Sequence, residues 1–137
     1  MPAELFVDTS AWYAIVTGEG VRSVATQKAL EARVTAGARV VTTSLVLAES
    51  HALLTKRKGR GIALRFLQGV VAAPGVVVTI SSDHQAMAIR DWLVRYDDHE
   101  FSLADAVSFA VMKERGIREA LALDHHFAVA GFVTVPA

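Results

Sequence analysis

Short, uniformly apolar runs rich in β-branched residues alternate along this chain with longer stretches whose apolar positions recur every three or four residues. That alternation predicts a parallel sheet with crossover helices. Five runs read as strands, over residues 5–7, 39–42, 76–80, 120–123 and 132–135. Continuous apolarity suits strands covered on both faces. Between them, Thr9 or Ser10 caps a helix that begins at Ala11, and residues 20–36 form a second, ended by Gly37. Ser44 caps a helix over 45–58, and Gly59 and Gly61 separate it from another over 62–71. Ser82 with Gln85 forms a capping box for a helix through Arg95. Ser102 opens a helix through Arg115, stopped by Gly116, in which Leu103, Ala106, Val107, Ala110 and Val111 mark one buried face. A last short helical turn, 125–130, ends at Gly131.

Composition narrows the possibilities. A length of 137 residues predicts one domain spanning 1–137, large enough to fold without a disulfide or metal staple. The apolar share of 53% excludes a disordered chain. Fourteen basic and fourteen acidic residues cancel, so no global field draws in nucleic acid, and any such binding needs a local patch. With no cysteine, disulfide frameworks, thiolate zinc sites and cysteine nucleophiles are excluded, and a reducing compartment fits. The opening Met1-Pro2-Ala3-Glu4 lacks the basic start of a signal peptide. The longest uncharged run, 66–82, is too short and too broken by Gly69, Pro74 and Gly75 to cross a bilayer. A cytoplasmic protein with no membrane association is expected. The mean hydropathy of +0.37 predicts that a partner or a second copy covers part of the surface.

Four carboxylates stand out against apolar surroundings. Asp8 ends the first strand and Asp124 the fourth, and ligands of open α/β sheets bind beyond such carboxyl ends. Glu49 lies four residues after Leu45 and four before Leu53, on a helix face shared with apolar neighbours. Asp105 occupies the first turn of its helix, three residues after Ser102. Each has an ordinary reading taken singly: turn former, helix cap, or face-edge residue with its head in water. Together they converge on one edge of the predicted sheet. Clustered carboxylates repel unless a cation neutralises them, and oxygen-only ligands favour Mg²⁺ or Mn²⁺ over zinc.

The segments Val7-Asp8-Thr9-Ser10-Ala11, Leu47-Ala48-Glu49, Phe101 through Met112 and Leu123-Asp124-His125-His126-Phe127 resemble the motifs of PIN-domain ribonucleases, above all the VapC-type toxins of bacterial toxin–antitoxin pairs. The resemblance covers essentially the whole chain, with the four acids in the family's order. It implies a three-layer α/β/α sandwich around a five-stranded parallel sheet of order 3-2-1-4-5. It implies Mg²⁺- or Mn²⁺-dependent endonucleolytic cleavage of RNA, a homodimer, and a protein antitoxin that blocks the pocket. Asp8 and Asp105 match the principal metal ligands, and Glu49 and Asp124 complete the acidic pocket. Where many members carry Thr two residues before the fourth acid, this chain has Ala122.

Several residues keep two readings. Lys56, Arg57, Lys58 and Arg60 form either a tract for an RNA backbone or a solvated helix end. Ser10 and Ser102 either cap helices or orient carboxylates, and the roles are compatible. His125 and His126 read as partly exposed, their adjacent side chains pointing apart, and His51 turns away from Glu49's face. Trp12, Tyr13, Trp92 and Tyr96 read as core or interface. The alternative function is a non-catalytic PIN-like or receiver-like domain acting through protein binding. A receiver needs a second acid beside Asp8, where Thr9 stands, and a Lys after the fifth strand, which Val135-Pro136 lacks. A phosphatase with an Asp nucleophile needs an acid where Ser10 stands.

Overall fold

The computed structural model describes residues 3–136. Its elements run β1 (Glu4–Val7), α1 (Thr9–Thr17), α2 (Ser23–Thr35), β2 (Arg39–Thr43), α3 (Ser44–Lys58), α4 (Arg60–Ala72), β3 (Val76–Val78), α5 (Ser82–Ala88), α6 (Leu103–Arg115), β4 (Glu119–Leu121), α7 (His126–Val129) and β5 (Val133–Val135). The sheet is parallel throughout in the order β3-β2-β1-β4-β5, as expected, with helices on both faces. Leu5 of β1 pairs with Val40 on one side and Glu119 on the other. The winding reverses between β1 and β4, which opens a crevice at their carboxyl ends.

Two strands end before their apolar runs do. β3 stops at Val78, opposite Thr43, because β2 turns there into α3. The Ile80 N–H donates instead to Ser44 Oγ at 3.1 Å. β4 stops at Leu121, and the Leu123 N–H leaves the ladder to donate to Ser10 Oγ at 3.0 Å. Asp124 therefore sits on a bend past the strand, not at its last residue. The second helix begins at Ser23 rather than at residue 20, since residues 21–22 form a turn.

The cap of α5 is Ser81, not Ser82. Ser81 Oγ accepts the His84 N–H and His84 Nδ1 accepts the Ser81 N–H, so His84 closes the box in place of Gln85. The α-helix then widens into a π-helical segment, Ile89–Val94, before Arg95. That segment points Trp92 into the core, its ring 5.9 Å from Phe109.

α6 is enclosed more completely than a single apolar face implies. Every residue from Asp105 to Met112 is buried, while Leu103, assigned to the buried face, is exposed. The helix lies between the sheet and a cage of aromatic rings. Phe109 meets Phe101 at 5.1 Å and Phe127 at 5.0 Å, both edge-on, and Phe127 in turn packs 6.0 Å from Phe6 of β1. Edge-to-face contacts of this kind fix ring geometry beyond simple area burial. α6 thus holds Asp105 at a set height over the sheet, because sliding the helix would pull Phe109 out of its cage.

Candidate active site at the carboxyl ends of β1 and β4

Asp8 follows β1 directly and is buried. It stands at the N-cap position of α1 yet makes no side-chain capping bond. Its Oδ2 accepts the Ser10 hydroxyl at 3.2 Å, and the same Ser10 oxygen takes the Leu123 N–H. Ser10 therefore ties the end of β1 to the bend after β4 and orients Asp8; it does not cap. Burial pushes the Asp8 carboxyl up to about 7. Repulsion from Asp124 adds to burial, the Thr9 N–H opposes it, and Asp105 and Glu49 raise it further. All three other sequence-selected acids are thus felt at Asp8.

Asp105 is both a cap and a member of the cluster. Its own N–H donates to Ser102 Oγ at 3.0 Å, and its Oδ2 accepts the Ser102 N–H at 3.1 Å. That same oxygen meets His126 Nδ1 at 2.9 Å. Asp124 is half-buried and accepts the His126 N–H at 3.1 Å. Burial and the charge of Asp105 raise its carboxyl above the ordinary value, against the lowering pull of His126 and His125. Glu49 is exposed at the rim and accepts the Thr9 hydroxyl at 2.6 Å.

Donor atoms of Asp105, Asp124 and His126 lie within 4.8 Å of one another. Asp8 and Glu49 fall outside that triangle. His126 is partly exposed, as expected, and also joins the acids. The usable signal was its position two residues after Asp124, where a backbone N–H reaches an Asp side chain in a local turn. The carboxylates of Asp105 and Asp124, beside an Asp8 carboxyl pushed up to about 7 by burial and by its fellow acids, form an oxygen-rich set that suits a hard divalent cation, which would relieve the repulsion.

The PIN domain family matches residues 5–133. The chain belongs to the PIN-domain family. Beyond the family match, this PIN domain is 35% identical over 131 residues to the 23S rRNA-specific endonuclease VapC20 of Mycobacterium tuberculosis, in strains CDC 1551 / Oshkosh and H37Rv alike, covering 96% of this chain and 97% of the relative. The crystal structure of M. tuberculosis VapC20, described as a Sarcin-Ricin loop cleaving toxin, matches with a TM-score of 0.86 and 34% identity over 94% of this chain and 96% of that one. VapBC2 from Rickettsia felis, bound to a DNA fragment from its promoter, shares the fold at a TM-score of 0.71 and 12% identity, over 96% of each chain.

Proposed function

We propose that this PIN domain, a single domain over 1–137, is a metal-dependent endoribonuclease and the toxin of a toxin–antitoxin pair. The observation that carries the reading is the convergence of Asp8, Asp105 and Asp124 at the β1–β4 crevice, with Asp8 pushed up to about 7 by burial and by its fellow acids. Such a cluster weakens the metal-free fold and makes sense as a cation site. Asp8, Asp105 and Asp124 would hold Mg²⁺ or Mn²⁺, with Glu49 at the rim. When bound, the cation supplies the positive charge that draws in a phosphodiester and polarises its phosphoryl oxygen.

The chain's own groups do the positioning. Ser10 aims Asp8, Thr9 aims Glu49, and the Ser102 box fixes Asp105 at the start of an enclosed helix. His126 Nδ1 holds the Asp105 oxygen from the pocket side. The similarity to VapC20 supports an rRNA substrate. An apolar groove of about 260 Å³, lined by Trp12, Leu30, Val34, Val40, Val70 and Pro74, supports an antitoxin that buries apolar surface. Exposed Val24 and Val71 add apolar surface that a partner or a second copy would cover. A cytoplasmic location fits this reading, and among the described residues no helix is long and apolar enough to cross a membrane.

The test is cleavage of ribosomal RNA by the purified chain with Mg²⁺, Mn²⁺ or EDTA, beside Asp124→Asn. Cleavage should require the cation and fall at least about 100-fold in the variant. Cleavage that survives both EDTA and the substitution overturns the reading.

A further inference from the structure

The tip of the α3–α4 hairpin carries Lys56, Arg57, Lys58 and Arg60, all exposed, in a chain whose net charge is zero. Two of the four are engaged: Lys58 pairs with Glu19, and the Arg57 guanidinium lies over the Tyr13 ring at 5.4 Å. Lys56 and Arg60 have no acidic partner among the described residues.

The ordinary account of such a run is favourable charge at a helix C-terminus. It covers Lys56 to Lys58, which end α3. It fails for Arg60, which opens α4, where the helix dipole disfavours a cation.

Helical register ties the run to the acidic site. Lys56 follows Glu49 by two turns of α3, within about 20° of the same face and about 10 Å along it. The seam between α1 and α3 tells the same story. At one end Thr9 donates to Glu49; one turn along α1, Tyr13 lies beneath Arg57. An exposed line thus runs from the rim of the carboxylate pocket to the basic tip.

An RNA strand with one phosphate at a carboxylate cluster carries its neighbouring phosphates past the same acids. Repulsion there must be offset by cations further along the strand, and a chain of zero net charge supplies none globally. We propose that Lys56, Arg57 and Arg60 form a phosphate-binding tract for the single-stranded RNA flank that leaves the acidic pocket along α3. This rests on the ribonuclease reading. The tract reads backbone charge and carries no sequence preference of its own.

The experiment is fluorescence anisotropy of a short labelled single-stranded RNA with the full chain in EDTA, over a KCl series. Three proteins are compared with the wild type: Lys56→Ala/Arg60→Ala, the charge-keeping Lys56→Arg/Arg60→Lys, and Lys28→Ala/Arg118→Ala, which removes the same charge elsewhere. The first should flatten the log–log salt slope by about 1.4, or 0.7 for each phosphate contact on a single strand. It should also weaken binding about ten-fold at low salt. The charge-keeping pair and the distant pair should keep the wild-type slope. An unchanged slope in the first variant overturns the tract, as does an equal change in the distant pair. A wild-type chain that neither binds nor cleaves RNA overturns the ribonuclease reading, and the tract with it.

Discussion

Replacing Asp8 with Asn should make the metal-free protein more stable, and increasingly so as pH rises. The buried carboxyl is pushed from 3.8 up to about 7. A raised acid takes up a proton on folding, so its cost is absent below the unfolded value and grows as pH climbs toward the folded one. Above pH 7 the full cost of holding the carboxylate is about 4 kcal/mol, from 1.36 kcal/mol for each pH unit between the two values. Asn keeps an oxygen for the Ser10 hydroxyl, but burying its amide costs about 1–2 kcal/mol. The net gain at pH 8 is then about 2–3 kcal/mol. The change between pH 5 and pH 8 does not depend on the amide term: the advantage of the variant should grow by about 3 kcal/mol over that range. Urea unfolding in EDTA at several pH values measures both quantities, and the gain corresponds to roughly 8 °C in Tm. Adding Mg²⁺ or Mn²⁺ should stabilise the wild type by mass action and the variant much less. Parallel pH dependence in the two proteins would refute the argument, since Asp8 would then ionise in the fold without penalty.

Ser50 is buried in α3 with no partner for its hydroxyl among the described residues, so Ser50→Ala should raise stability by about 1 kcal/mol in a thermal melt; a loss would mean that the oxygen is satisfied. Glu4 receives two guanidinium groups, and the hydrogen bond from Arg115 holds its carboxyl below the usual glutamate value, with Arg39 adding to it against desolvation. A lowered acid contributes stability above 4.5 that is lost as pH falls through the folded value. Glu4→Gln should cost about 1–2 kcal/mol at pH 7 by urea unfolding and progressively less below pH 4, and a pH-independent difference would count against the ion-pair account.

The parts legible in the chain are those set by neighbours a few residues apart. Uniform apolar runs marked all five strands, and Ser102 with Gly116 bracketed α6, because periodicity and caps act within one or two turns. The four acids could be chosen from their apolar flanks, although strand order rested on likeness to a family. What the tertiary structure alone decided involves groups far apart in sequence. Ser81 rather than Ser82 caps α5, with His84 closing the box while its Nε2 meets Glu114 of α6 at 3.0 Å, a choice between two adjacent serines that local pattern leaves open. The full burial of α6 follows from rings contributed by Phe101, Phe127 and Trp92, and the apolar period of the helix shows only one of its sides. His126 reaches Asp105 only because α7 folds back over the start of α6. The strain of four clustered carboxylates falls heavily on Asp8, the acid that burial desolvates most, and burial is a property of the packed molecule that no stretch of sequence carries.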